Sequence, residues 1–537
     1  MSSPPNRRGR TADLCVWHPN AETDVRRLPA LAAVVLVLLS GCAGSIPFTD
    51  ASSSPDTVVP DGDAHADIPP VPADLSDPAD DRLGWEGGYW YNESIDVDQS
   101  DGLNDSELAA VTNRSMARVE YIRGLEFERS VPVEVVSRDE FKQARGNNST
   151  PPSRVRFDNV KFEALFLINE STNSMDVQSQ NRGAAVGGYY SPREQRIVLV
   201  SEHSESPKLS EVTLSQELFH ALQDQQFAIA SYNQSTREDH NAIDGIVEGD
   251  GNLVDYLYEQ RCESEWSCLT DGGSASGADG GNASASGDAG DSASGSSGLA
   301  DIGPYLLKYQ PYSDGPAFVY AKYQQGGWDA VDAIYENPPA STSQVIHPEQ
   351  YPDDAPAEPT VTDRTAGSWS RLAVDGRVNY AELGEAGIAS MLVAPLYEKP
   401  GAQIVPPKQW LNVNESGEPR QFDPLSYDTS YTDGFEGDRL VPYVNADNET
   451  GYVWTIQFEN GSSADEFRDG YGQLLDYRNA TEVDDASGPG TVYRIPEDDP
   501  NGFGDAFRVV QRGDTVVVTN APDVDALSKV RAAEGSN

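Results

Sequence analysis

Lysine is nearly absent from this chain, and basic residues of either kind are few. Lys and Arg total 38 against 87 Asp and Glu, a formal net charge of −49. A nucleic-acid partner needs a basic footprint, so that class of function is excluded. The acidity is spread along the chain and marks no particular partner. A surface this acidic stays hydrated in molar salt, where the Debye length is only about 3 Å and self-repulsion is screened. The composition is that of an extreme halophile. Long apolar runs are missing as well: the stretch Leu31 to Leu39 is too short to span a bilayer as a helix. Cysteine is scarce, with four in all.

What the N-terminus does hold is an export signal. Arg26-Arg27 is a twin-arginine pair, followed by the short apolar run and by Leu39-Ser40-Gly41-Cys42. That ending has the form of a lipobox, in which Cys42 becomes the lipidated first residue of the mature chain. The expected location is the extracellular face of the cell membrane, with the membrane as partner through the lipid and export by the twin-arginine route. A start at Val25 would leave a compact signal. Cys15 would be lost on processing, so Cys262 and Cys268 remain. Outside the cell such a pair can close a small disulfide loop; a metal pair is the alternative. Many Asn-x-Ser/Thr sequons, Asn92, Asn104, Asn169 and Asn460 among them, fit a glycosylated surface protein.

Composition divides the chain. Residues 1–42 are the signal. Residues 43–82, rich in Pro, Asp, Ser and Ala, read as a solvated tether. Residues 83–400 form the main domain, interrupted at 270–299 by Gly/Ser/Ala/Asp repeats that cannot bury enough surface to offset their ordering entropy. Residues 401–432 read as a connection and 433–537 as a small C-terminal α+β unit. Apolar periodicity predicts helices to about Arg123, from Ser210 to Phe227, from Ala242 to Tyr258, and at 316–325, 328–335 and 381–392. Strands are expected at 131–136 and 164–168, and as a hairpin across Ser191-Pro192-Arg193-Glu194. The last hundred residues alternate strand 452–458, helix 464–476, strands near Val492, Phe507 and Thr515, and a final helix from Val524. The fold class is α+β.

Chemistry concentrates in Gln216-Glu217-Leu218-Phe219-His220. In His-Glu-x-x-His two imidazoles at i and i+4 share one helix face and bind zinc, and the Glu activates a water. Here Glu217 and His220 are in place, but Gln216 holds the first position, and a carboxamide oxygen is a poorer zinc ligand than imidazole nitrogen. The second helix offers Val247-Glu248-Gly249-Asp250, with Asp244 one turn before Glu248, where it could orient a ligand.

The run from Ser215 to Phe227, containing His220-Ala221-Leu222-Gln223-Asp224-Gln225, resembles the active-site helix of a family of secreted gluzincin-type zinc metallopeptidases. That helix typically reads His-Glu-Leu-x-His-Ala-Leu-Gln-Asp-Gln. The resemblance continues through Tyr312-Ser313-Asp314-Gly315-Pro316, Gly326-Gly327-Trp328, Ser341 to Tyr351 with His347-Pro348-Glu349, Glu382-Leu383-Gly384-Glu385, and Gly434 to Arg439. It covers about residues 85 to 530. It implies a zincin-like domain with a mixed sheet and an active-site helix pair. His220 and Glu248 would be zinc ligands and Glu217 the general base. Gln216 departs from the pattern at a ligand position, so zinc is expected to be weakly bound or absent. His240 or His203 could stand in for the lost imidazole. His347 is either a substrate contact or a His-Pro turn.

Two functions of different class follow. One is a surface-anchored pseudo-peptidase that binds or scaffolds an extracellular protein or peptide. The other is an active zinc peptidase with a non-standard ligand set. A solute-binding lipoprotein fits the lipobox but not the helix pair.

Overall fold

The computed structural model describes residues 70–145, 150–185, 187–201, 204, 206–270, 301–399, 401–484 and 486–532. Cys42, His203 and nearly all of the 270–299 insertion lie outside the described residues.

The chain is α+β. Its first part runs β1 (Trp85–Glu86), β2 (Tyr89–Trp90), α1 (Asp105–Arg123), β3 (Val133–Ser137), α2 (Arg138–Arg145), α3 (Pro152–Ala164), α4 (Ser174–Ala185), β4 (Gly188–Ser191), β5 (Arg196–Ser201), α5 (Glu211–Phe227), α6 (Arg237–Ser264), α7 (Ile302–Glu336) and α8 (Thr342–Ile346). The second runs β6 (Ser370–Arg371), α9 (Gly384–Val393), α10 (Pro395–Glu398), α11 (Pro407–Trp410), β7 (Phe435–Val444), β8 (Thr450–Phe458), α12 (Gly461–Tyr477), β9 (Thr481–Glu482), β10 (Thr491–Arg494), β11 (Ala506–Arg512), β12 (Thr515–Ala521) and α13 (Val524–Val530).

Local chemistry starts the important helices where side chains can satisfy the free N–H groups of the first turn. The Ser210 hydroxyl accepts from Thr213 N–H at α5. Asn104 with Glu107, and Thr236 with Asp239, form reciprocal capping boxes at α1 and α6. Two of the sequons are thereby spoken for structurally, since Asn104 and Asn460 cap α1 and α12.

The first part builds a mixed three-stranded sheet, order β3-β5-β4, with β3 parallel and β4 antiparallel to β5. Under it α5, α6 and α7 pack around Leu218, Phe219, Leu222, Ile246, Val247, Phe318 and Val319, all buried. The crossing of α6 and α7 is close because glycines meet there. A Cβ built on Gly249 would lie 2.3 Å from the Gly315 carbonyl oxygen, and one on Gly315 would lie 2.3 Å from that of Gly245. The α1–α5 contact is sealed by ions: Glu211, fully buried, accepts from Arg114 (2.7 Å), Arg118 (2.6 Å) and the Tyr258 hydroxyl (2.8 Å). Cys262 and Cys268 are joined in a disulfide just beyond.

The second part is a seven-stranded antiparallel sheet, order β6-β7-β8-β12-β11-β10-β9. One face, with Tyr452, Trp454, Ile456 and Val518, packs on Phe467, Tyr471 and Leu474 of α12. The other, with Val441, Tyr443 and Val453, packs on Leu527 and Val530 of α13.

Several expectations need correction. Residues 164–168 are not a strand: Ala164 is the last residue of α3, and Leu165 to Ile168 form a buried turn after it, where Leu167 N–H bonds back to Phe162 (3.0 Å) and Phe166 has φ 53°. A short apolar run reads alike in a strand and in a buried helix end. The helices expected at 316–325 and 328–335 belong to one run, α7, broken at Gly326-Gly327, where Gly327 has φ 65°. The α6 helix is longer than 242–258 because the Thr236 box starts it earlier. Residues 401–432 are packed: Ile404, Val405, Trp410, Leu425 and Tyr427 are buried in the same core as the large sheet. The sheet itself begins at Ser370, well before 433, and β7 fills a stretch where no strand was expected.

Candidate functional site

α5 and α6 bring the motif residues together. His220 Nε2 lies 3.6 Å from Glu248 Oε2 across the helix pair. The imidazole fits against α6 because position 251 is glycine; a Cβ there would sit 3.2 Å from the ring. Gln216 is one turn before His220, and Glu217 beside it turns to the sheet, where the edge strand β4 donates Tyr190 N–H to its Oε2 (2.7 Å). The other Glu217 oxygen has no hydrogen-bond partner. Burial, and then the Glu248 carboxylate, push the Glu217 pKa well above the ordinary carboxylate range, against the Tyr190 N–H. Glu248 Oε1 accepts from the Tyr312 hydroxyl of α7 (2.7 Å).

The His220 ring is held by a directed chain of hydrogen bonds. Gln223 donates its amide nitrogen to the Val247 carbonyl (2.9 Å) and to the Tyr335 hydroxyl (2.7 Å). A carbonyl can only accept, so the Gln223 amide is oriented and its oxygen faces His220 Nδ1 at 2.7 Å. Nδ1 therefore carries a proton, and Nε2, which has no hydrogen-bond partner, faces Glu248. Tyr335 in turn donates to Asp250 (2.8 Å), which pairs with Arg123 (3.1 Å). The resemblance singled out this Gln and Asp250 only as part of a motif; the structure makes them the support of the imidazole.

Other expected residues lie elsewhere. Asp244 meets His240 at 3.4 Å on its own helix, and His240 also meets Gln234 (2.9 Å). His347 Nε2 is bonded to Glu385 Oε1 at 3.1 Å, joining two pieces of the resemblance. Glu385, His347 and Asp428 have ligand atoms all within 4.8 Å of one another. Sequence reasoning missed Asp255, two turns after Glu248 on the same face of α6. Both its oxygens are buried without a hydrogen-bond partner. Burial first, then the carboxylates of Glu217, Glu259 and Glu248, push its pKa well above normal. Its signal is a lone acid inside Leu253-Val254-Asp255-Tyr256-Leu257.

Two ligands on a divalent cation with bonds of about 2.0–2.1 Å stand about 3–3.5 Å apart. The His220–Glu248 separation of 3.6 Å is close to that, and the free Nε2 suits it. The third position does not complete the set, because Gln216 offers a neutral carboxamide. The residues present do not make a three-ligand zinc centre. The site is also enclosed: Gln216, Glu217, His220 and Glu248 are each 0–1 % exposed. A cavity of about 330 Å³ opens instead at the start of α6, lined by Tyr232, Glu238, Asp239, Pro339, Glu382 and Phe435 among others.

Residues 370–531 match a family model described as a domain of unknown function, DUF8575. The match spans the large sheet and leaves the helix pair outside. No curated protein matches the chain, and no solved structure does.

Proposed function

We propose that the protein is a lipid-anchored surface protein of a halophile with a zincin-like, gluzincin-type domain whose peptidase centre is degenerate, and that it acts as a binding or scaffold protein for an extracellular protein or peptide. The observation that carries this reading is Gln216 at the first ligand position beside an enclosed His220–Glu248 pair. A hydrolase needs an open metal position that a peptide can reach. Glu217 is tied to β4 rather than facing an open cleft, which supports the same reading. The mixed sheet with β4 at its edge, lying over α5 and α6, supports the zincin-like assignment. The lipobox at Cys42 and the twin-arginine pair support anchoring outside the membrane.

The test is metal content and peptidase activity of the purified protein in molar KCl, for wild type and Gln216→His. The wild type should lose zinc on dialysis and cleave no peptide. The variant, with two imidazoles at i and i+4 and the Glu248 carboxylate, should retain close to one equivalent. Stoichiometric zinc together with hydrolysis in the wild type would overturn the reading in favour of an active peptidase. Anchoring is tested separately: Cys42→Ser should leave the membrane fraction or stop processing.

A further inference from the structure

Among the described residues, acid and imidazole ligand atoms also converge at a place away from the helix pair. That place is formed by three segments distant in sequence: the end of α8, the first turn of α9, and the loop before β7. They supply His347, Glu385 and Asp428. Glu385 is 1 % exposed, His347 is about one-fifth exposed, and Asp428 faces solvent. The three therefore run from a buried carboxylate through a half-buried imidazole to an exposed carboxylate.

The spacing suits a cation. The His347 Nε2 to Glu385 Oε1 distance of 3.1 Å, spanned here by a hydrogen bond, is also an edge length of a coordination shell with bonds of about 2.1 Å, so a cation would take the place of that proton. The surroundings are rich in carboxyl groups. Glu349 lies 4.0 Å from the His347 Nδ1. Asp314 of α7, on which the Glu385 carboxylate acts electrostatically, is 4 % exposed, and its Oδ2 is buried without a hydrogen-bond partner. Asp423 acts on Asp314 in turn.

We propose that His347, Glu385 and Asp428 form a divalent-cation site, separate from the helix pair, that takes a first-row metal ion of the Mn²⁺ kind. One imidazole nitrogen, two carboxylates and an open side for water make an oxygen-rich, six-coordinate set, which suits Mn²⁺ better than thiophilic or square-planar ions. The ion ties α8, α9 and the 421–428 loop together, and so braces the junction between the helical part and the large sheet. The proposal stands independently of the peptidase reading, because it uses none of its residues.

The experiment is Mn²⁺ binding to the full mature protein in molar KCl, followed by electron paramagnetic resonance, with pulsed detection of nitrogen coupling. High salt removes loose counter-ions from the acidic surface. The expected result is one Mn²⁺ per chain with a coupled imidazole nitrogen. Asp428→Asn, at an exposed position that should not disturb folding, and His347→Gln should each weaken binding by about tenfold or more, since even groups that only support a ligand are worth that much. His220→Ala should leave it unchanged. Absence of a stoichiometric Mn²⁺, or binding that Asp428→Asn and His347→Gln leave intact, would overturn the proposal. Binding abolished by His220→Ala alone would move the ion to the helix pair and overturn it equally.

Discussion

A single side chain, Gln223, decides which nitrogen of His220 is available. Its amide nitrogen is committed to Val247 and Tyr335, so its oxygen demands a proton on Nδ1. Nitrogen NMR of the wild type should therefore report the Nδ1–H tautomer, and Gln223→Leu should scramble it. An Nε2–H tautomer in the wild type would refute the hydrogen-bond chain. A second residue-scale effect concerns pH. Burial, with help from Asp438 and Glu385, raises the Glu238 carboxyl to about 8, against the Thr342 hydrogen bonds. A carboxyl whose folded pKa exceeds its unfolded value contributes stability below the unfolded pKa, and that contribution is lost as pH rises toward the folded one. Between about pH 4.5 and 8 the wild type should lose on the order of 3–5 kcal/mol through this group. Glu238→Gln should flatten that slope in melting curves; parallel curves for the two proteins would contradict it.

Elements meet here through two unlike devices, glycine contact and buried ions. At the α6–α7 crossing a methyl group on Gly249 has no room before the Gly315 backbone, which cannot swing aside as a side chain does. Gly249→Ala should destabilise by several kcal/mol despite alanine's better helix propensity, and should loosen the Tyr312–Glu248 contact. A melting temperature equal to wild type would show that the crossing is looser than described. At the α1–α5 contact Glu211 pairs with both Arg114 and Arg118 in a buried interior. Glu211→Ala strands two buried guanidinium groups and should cost about 3–5 kcal/mol, read by denaturant unfolding. An exposed ion pair would give less than 1 kcal/mol, so the size of the loss tests the burial itself.

At the scale of the whole molecule the net charge of −49 sets the conditions of folding. Self-repulsion weakens as salt screens it, so the melting temperature should climb steeply between 0.1 and 3 M KCl and then level off. A flat response would mean that the acidity has no effect on the compact state. The two parts do not separate at residue 433. The core that holds Trp454 and Phe467 also holds Leu165, Leu306 and Ile388. Motifs that look independent in sequence lock that junction: Asp438 accepts from Leu383 and Gly384 N–H and from Trp454, and Arg439 pairs with Glu382 at 2.7 Å.

Sequence by itself determined the α+β class, the helix carrying Gln216, Glu217 and His220, the β4–β5 hairpin and the strand–helix alternation of the last hundred residues. These depend on capping, periodicity and turn chemistry, which act over a few residues. The pairing of His220 with Glu248 was implied only by the resemblance to the gluzincin helix pair, since the two residues lie on different helices and spacing along one helix relates only residues of that helix. Tertiary structure alone decided that Asp255 lies buried near them, that Gln223 orients the ring, and that His347 meets Glu385 instead of the helix pair. Each of these depends on which buried surfaces come together, and no local pattern encodes that. It also decided that Leu165 to Ile168 form a buried turn after a helix and that 401–432 is packed. Apolar residues in a turn and in a strand satisfy the same local pattern, and only the core they enter tells them apart.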